Sequence, residues 1–436
     1  MAEFSKKYNL KNAQRIHIIG MGGIGISALA RLLVAQGKTV SGTEDNESKE
    51  TLDPLRAIGV KVSLDLDPKK LPIADCYLYS DAWLTKHPEV LAEARTRGVP
   101  ALSYFEALGQ IANHYYLIAV SGAHGKTTTT AMLIDVLEAG GLDPTAIVGS
   151  LRAKTKSNFK AGGGKYFVVE ADEYMRHFLQ FTPTILLINN IDADHLDYYK
   201  DLTDIQSAFS ELAHKVPANG FVVCNPSDPK VAPVLGGIAA TVIDYTKYFD
   251  PQLSLKVLPL HRINAAGVLA IADTLGIDTA TAKTALAEFS GTWRRFEYKG
   301  TTSKGVLVYD DYAHHPLEIK TTLASIKEQF PGKKIRVAFH PHLYSRTKLL
   351  MDDFAAAFGD ASDVILAPIF AAREQPDPGV SSEILAERIT SNGTLARAVD
   401  SLDKITDYIK NEAGAGDIVV TMGAGDIYKA GEAALK

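Results

Sequence analysis

Residues 120–130 read VSGAHGKTTTT, and no other stretch limits the possible folds so sharply. An apolar run, YLIAV, leads into glycines, a lysine and threonines, and the helical pattern TTTTAMLIDVLEAGG follows. Glycines at such a corner let the main chain approach a ligand without a Cβ in the way. The opening helix then presents unpaired amides and a partial positive charge to an anion. Position 120 is valine, so the usual G-x-x-x-x-G-K-[ST] signature shortens here to Gly122-Ala123-His124-Gly125-Lys126-Thr127. Read as a phosphate loop, its amides ring the β-phosphate of ATP, with His124 and Thr128 beside them. Lys126 then reaches the β and γ oxygens, and the Thr127 hydroxyl ligates Mg2+. The bland alternative is a chance Gly-Lys turn.

The same alternation recurs along the chain, as in RIHIIG followed by ISALARLLVAQG. It predicts an α/β fold of largely parallel sheets flanked by helices. A chain of 436 residues exceeds what one core organises. Strand-to-loop transitions divide it into a Rossmann-like domain over 1–112, a central P-loop domain over 113–290 and a Rossmann-like domain over 291–436. KTKSNFKAGGGK reads as a flexible basic loop. The formal net charge of −5, without long like-charge blocks, gives no footprint for nucleic acid or an anionic membrane. Two unpaired cysteines, Cys76 and Cys224, fit a reducing compartment. The opening residues carry no apolar leader and no run is long enough to span a bilayer, so a cytoplasmic protein without membrane insertion is expected.

After RIHII comes Gly20-Met21-Gly22-Gly23-Ile24-Gly25, and Glu44 follows about 20 residues on, where an acid commonly accepts from a ribose hydroxyl. Nucleotide binding competes here with simple tight helix–strand packing, and a dehydrogenase is the default reading of this turn taken alone. Magnesium needs further oxygens. KYFVVEADE releases Glu170 at a strand end, with Asp172 and Glu173 beyond, and TILLINNIDADHLD releases Asn190, Asp194 and His195. Asp172, Asp192 and Asp197 also fit solvated turns. The last third offers YDDYAHHP, with Tyr312 and His314, and VAFHPHLYSRTK, with His342 and Arg346. Imidazole, phenol and guanidinium together suit a small carboxylate that Arg346 grips bidentately. Zinc is the rival reading, but His-Pro-His without cysteine is a poor zinc pattern.

The ordered set GMGGIGIS, VSGTE, GAHGKTTTT, EADE, NNIDADHLD, GTWRRFE, DDYAHHP, HPHLYSRT, AAREQPDPGVSS and TMGAGDI resembles the Mur ligase family, running from residue 16 to residue 427. The resemblance implies three domains that bind a UDP-sugar, ATP and an amino acid in turn. It implies an ATP-dependent amide ligase of peptidoglycan precursor synthesis, in which the lactyl carboxylate of UDP-N-acetylmuramate is phosphorylated and L-alanine attacks the acyl phosphate. Gly22, Gly23 and Gly25, with Gly20 and Glu44, would hold the UDP part. Lys126 would stabilise the γ-phosphoryl group, Thr127 and Glu170 would ligate one Mg2+, and His195 would serve a second. Arg295 would reach the phosphates, Asn264 would contact the ATP nucleotide, and Tyr312, His314, His342 and Arg346 would surround the amino acid. Lys126, His195, Arg295 and His314 would carry the chemistry. The implied partners are these small molecules, and the implied assembly is a monomer or weak homodimer.

Departures from the family pattern are Ala123 for threonine and Leu343 where many alanine-adding members have arginine. LPLHRIN keeps only Asn264 of G-x-H-N-x-x-N, and the segment before it is short enough that the central sheet should lack some strands. Three rivals stay open: a ligase that attaches a ready-made tripeptide, a non-catalytic nucleotide-binding protein, and a dehydrogenase.

Overall fold

In a computed structural model, residues 8–436 apart from Asp197 and Arg373 are described; the sequence reading of Asp197 as a solvated turn lies outside them. Three sheets form, of five, seven and six strands, and the α/β expectation is met. The chain packs as two compact units, Met1–Ser254 with Ile263–Phe289, and Leu255–Arg262 with Ser290–Lys436.

The first sheet holds β1 (Arg15–Ile19), β2 (Thr39–Thr43), β3 (Lys61–Ser63), β4 (Cys76–Tyr79) and β5 (Ala101–Ser103) in the order β3-β2-β1-β4-β5, with all neighbours parallel. Four of the five β1 residues are buried, as a strand covered on both faces requires. Helix α1 (Ile24–Ala35) leaves the first glycine turn, and α2 (Tyr104–Ala112) follows β5. A capping box starts α2: Ser103 Oγ accepts from Glu106 N–H at 3.2 Å, and the Glu106 carboxylate accepts from Ser103 N–H at 2.8 Å.

The second sheet holds β6 (Tyr116–Ser121), β7 (Thr145–Arg152), β8 (Ser157–Lys160), β9 (Tyr166–Glu170), β10 (Ile185–Ile188), β11 (Phe221–Cys224) and β12 (Thr241–Asp244), ordered β12-β11-β10-β6-β9-β7-β8. Helix α3 (Lys126–Ala139) is buried almost all round, which explains why its sequence shows no polar stripe. The flexible loop expected at 154–165 needs correction, because its Ser157–Lys160 core is an antiparallel edge strand on β7. Its polarity misled: Asn158 is buried and donates to Ile24 O at 2.6 Å and to Ser27 Oγ at 2.9 Å, while Arg31 donates to Ser157 Oγ at 2.9 Å. The strand therefore pins α1 to the second sheet. Between β12 and α4 (Arg262–Thr274) only short 3-10 turns occur, in line with the short segment noted in the sequence.

The third sheet holds β13 (Glu297–Thr301), β14 (Leu307–Asp311), β15 (Ile335–Phe339), β16 (Asp363–Leu366), β17 (Leu395–Ala398) and β18 (Ile418–Met422), ordered β13-β14-β18-β15-β16-β17, with only β13 antiparallel. Helices α5 (Pro316–Gln329) and α6 (Tyr344–Leu349) follow β14 and β15. Residues 255–262 pack with this sheet although they lead into α4, whose residues from Ile263 on belong to the first unit. Leu258 joins its core, Leu260 N–H donates to Ser325 Oγ at 3.0 Å, and Arg262 pairs with Glu328 at 2.9 Å. No helix among the described residues is long and apolar enough to cross a membrane.

Candidate active site

The phosphate loop leaves the C-terminal end of β6, between β9 and β10, the edge where open α/β sheets bind ligands. Gly122 (φ 135°) and Gly125 (φ 84°) hold backbone angles that L side chains avoid. At Gly125 a Cβ would stand 2.9 Å from Asn264 Oδ1 and 3.1 Å from Asn189 Nδ2. Both carboxamides thus pack directly on the loop, which places Asn264 beside the phosphate cradle.

Asn190, released by β10, braces the turn. Its Oδ1 accepts from His124 N–H at 2.9 Å, its Nδ2 donates to His124 O at 3.1 Å, and its carbonyl accepts from Ala123 N–H at 3.3 Å. The expectation of a ring of loop amides is narrowed accordingly. Amides 123 and 124 are engaged by the strand end, and those that helix geometry leaves without an i−4 partner run from Gly125 to Thr128.

Lys126 Nζ donates to Gly122 O at 2.7 Å and to both Glu173 oxygens at 2.9 and 2.8 Å. Burial would lower the lysine pKa, but the carboxylates of Glu173, Asp172 and Glu170 outweigh it and hold the value above the ordinary one. Thr127 Oγ1 donates to Glu170 Oε2 at 3.0 Å, and Glu170 Oε1 accepts from Gly149 N–H at 2.5 Å. One ligand atom each from Asp172, Glu173 and His195 lie within 4.8 Å of one another. The Thr127–Glu170 oxygens and this cluster have the chemistry a divalent cation requires. His195 is brought to Glu173, at 3.8 Å, by a left-handed backbone (φ 55°). Asp192 is a surface group after all, paired with Lys230 at 2.7 Å.

Glu173 is the residue sequence reading undervalued. It is almost completely buried and is the direct counter-ion of Lys126. The signal was a second carboxylate three residues past Glu170, but its direction depends on the following turn, where Met175 (φ 51°) and Arg176 (φ 58°) reverse the chain.

At the first glycine turn, Gly20 (φ 79°) leaves no room for a Cβ against the Trp83 indole, and Gly23 caps α1. Gly22 N–H donates to Glu44 Oε2 at 2.5 Å, and Asp45 N–H to Glu44 Oε1 at 2.9 Å. Glu44, expected at a ribose, thus closes the turn itself, and burial pushes its carboxyl pKa up. Gly25 meets a different neighbour, Tyr104.

In the second unit the two adjacent arginines separate. Arg294 is buried, pairs with Asp310 at 2.8 Å and donates to the carbonyls of Gly423 at 2.5 Å and Gly425 at 2.8 Å. Arg295 instead stands 5.4 Å over the Tyr312 ring. Tyr312 lies 5.2 Å from the His314 ring, which lies 6.2 Å from His342. His342 stacks on Phe370 at 5.6 Å. Its pKa is lowered to about 4 by burial and by the charges of His314, Arg346 and His340. Tyr312, His314, His342 and Arg346 therefore do converge. His340 Nδ1, His342 Nδ1 and Arg346 Nη1 are buried without a hydrogen-bond partner among the described residues, so a ligand reaching them would meet unsatisfied polar atoms. Leu343 caps α6 with φ 68°, its N–H donating to Phe370 O at 2.9 Å.

Comparison with known proteins matches residues 15–116 to the Mur ligase family, catalytic domain, 120–251 to the Mur ligase middle domain, and 294–425 to the Mur ligase, glutamate ligase domain. The chain is 38% identical to a UDP-N-acetylmuramate–L-alanine ligase of Acetivibrio thermocellus, over 97% of this chain and 96% of that protein. A protein of the same description from Agathobacter rectalis is 37% identical over 99% of each. Among solved structures, a UDP-N-acetylmuramate-alanine ligase of Thermotoga maritima superposes with a TM-score of 0.80 at 28% identity, covering 96% of this chain and 98% of that one. A murein peptide ligase of Psychrobacter arcticus shares the fold, with a TM-score of 0.70 at 24% identity over 97% and 98% of the two chains. With a shortened phosphate loop braced by paired asparagines and three family domains matched in order along the chain, this protein belongs to the Mur ligase family.

Proposed function

We propose that this chain is the ATP-dependent ligase that joins L-alanine to the lactyl carboxylate of UDP-N-acetylmuramate, an early step in building peptidoglycan precursors. The carrying observation is the pairing of Lys126 with Glu173 and of Thr127 with Glu170 at the mouth of a phosphate loop, in a chain similar throughout its length to ligases of that name.

A carboxylate is a poor electrophile, so a lactyl oxygen attacks the γ-phosphorus and the bond to the ADP oxygen breaks. The alanine amine then attacks the acyl carbon, loses a proton, and inorganic phosphate leaves. Most of the rate comes from positioning and from neutralising charge. Lys126 exchanges part of its hold on Glu173 for the transferred phosphoryl oxygens, and the amides from Gly125 to Thr128 face the phosphates. Thr127 and Glu170 would hold one Mg2+ and His195, with Glu173, a second; such ions supply charge neutralisation on the phosphates. Arg295 serves as a further cation for the phosphoryl group. Arg346 grips the alanine carboxylate, flanked by His342, His314 and Tyr312. The glycine turn of 20–25 takes the UDP diphosphate, with Glu44 adjusting to admit it. With these reactants the enzyme would work in the cytoplasm, a reducing compartment that suits the buried free thiols Cys76 and Cys224.

The test is ADP release from ATP with UDP-N-acetylmuramate and Mg2+, across an amino-acid panel that includes the peptidoglycan tripeptide. L-Alanine should give the highest kcat/KM, and oxygen-18 placed in the lactyl carboxylate should appear in inorganic phosphate. Turnover with the tripeptide alone would establish the recycling reading instead, and no ADP with any amine would make this a binding protein.

A further inference from the structure

Tyr104 stands at the first position of α2, directly after the capping serine, so its backbone is fixed by the Ser103–Glu106 box. Its hydroxyl fills the space a side chain at Gly25 would need: a Cβ there would lie 2.7 Å from Tyr104 Oη. A side chain at Gly25 would therefore have to displace this phenol. On the second sheet, Glu170 and the nearby Asp172 stand close enough for their charges to act on the phenol. Burial first, then the charges of Glu170 and Asp172, keep the phenol protonated. The side chain is half-buried, and no described residue accepts a hydrogen bond from its hydroxyl.

The helix that carries Tyr104 is locked to the second sheet. Phe105 stacks on His177 at 4.2 Å and an interplanar angle of 15°, and His177 Nε2 pairs with Asp81 at 2.9 Å. Asn113 Nδ2 donates to Gln180 O at 2.9 Å, and Thr182 N–H to Asn113 Oδ1 at 2.8 Å. A phenol with no acceptor among the described residues is thus held beside the glycine turn, within reach of the charges of Glu170 and Asp172.

We propose that Tyr104 is a substrate-binding residue whose hydroxyl donates a hydrogen bond to the nucleotide-sugar, on the portion that runs from the diphosphate toward the reacting carboxylate. This rests on reading the glycine turn as the UDP-sugar site. A neutral donor suits the position: a cation there would pair with Glu170 and Asp172, whereas a phenol serves an oxygen of the ligand and leaves those carboxylates to the metal.

Tyr104→Phe removes the hydroxyl and keeps the ring that packs on Phe105. Calorimetric titration with UDP-N-acetylmuramate and steady-state kinetics should show affinity weakened about tenfold, the size of a lost hydrogen bond to a charged or strongly polar acceptor. KM for ATP and for L-alanine and the melting temperature should stay as in the wild type. Unchanged nucleotide-sugar affinity in a folded Tyr104→Phe protein would overturn the role of Tyr104 alone, as would an equal rise in the KM for ATP. Failure of the wild-type protein to bind UDP-N-acetylmuramate would overturn the reading of the turn, and this inference with it.

Discussion

The phosphate-loop region and the histidine–arginine cluster of the second unit are both rich in charge, yet they keep it differently. Around the loop, Lys126, Thr127, Glu170, Glu173 and Asn190 all have protein partners within hydrogen-bond distance. In the cluster, His342 and Arg346 each keep a buried nitrogen without one among the described residues. The first region is pre-assembled and must exchange internal bonds for ligand bonds. The second gains bonds it lacks. A buried ion pair holds geometry at a desolvation cost, while an unpaired buried polar group costs stability and returns it as affinity.

Substitutions can break or sharpen that contrast. Lys126→Ala should lower kcat by about 10^3-fold or more, because the phosphoryl group loses its fixed cation; UDP-N-acetylmuramate binding, followed by calorimetry, should be nearly intact. Glu173→Gln leaves Lys126 buried without its counter-ion and should cost about 3 kcal/mol in urea unfolding. Arg346→Ala should act in the opposite way, with KM for L-alanine up about 10- to 100-fold and unfolding almost unchanged. If it destabilised as much as Glu173→Gln, the contrast between the two regions would fail.

The smallest effect is the pH response of His342. Its folded pKa of about 4 lies below the ordinary 6.5, so the unfolded chain takes up a proton first as pH falls. Stability is then full above about pH 6.5 and declines toward pH 4. Partial exposure limits the loss to about 1 kcal/mol at pH 5. His342→Gln should flatten the urea-unfolding profile between pH 7 and pH 5 by that amount.

Much of the loop region was legible because its chemistry is local in sequence. Gly122 to Thr127 are contiguous, and Glu170 and Asn190 sit at the ends of apolar strands whose parallel pairing could be anticipated. Glu173 was harder, since its aim is set by left-handed residues beyond it. Nothing in GTWRRFE distinguishes the arginine that enters the core from the one that stands over Tyr312. That division follows from the left-handed backbone at Arg294 (φ 59°) and Phe296 (φ 46°) and from the buried Asp310 across the turn. β8 was missed because its burial is polar, satisfied by α1 rather than by an apolar stripe. Tyr104 carries no motif at all; its place depends on a capping box and on a glycine 79 residues earlier.

The excursion of residues 255–262 into the second unit has a practical outcome for anyone dividing or recombining this gene. The polypeptide crosses between the two units at 254/255, again at 262/263 and finally at 289/290. A fragment begun at residue 290 would lack Leu258, a buried member of its own core, and the complementary piece would trail an apolar loop with nothing to cover it. Chimaeras with related ligases should therefore carry the octapeptide along with the C-terminal partner it serves.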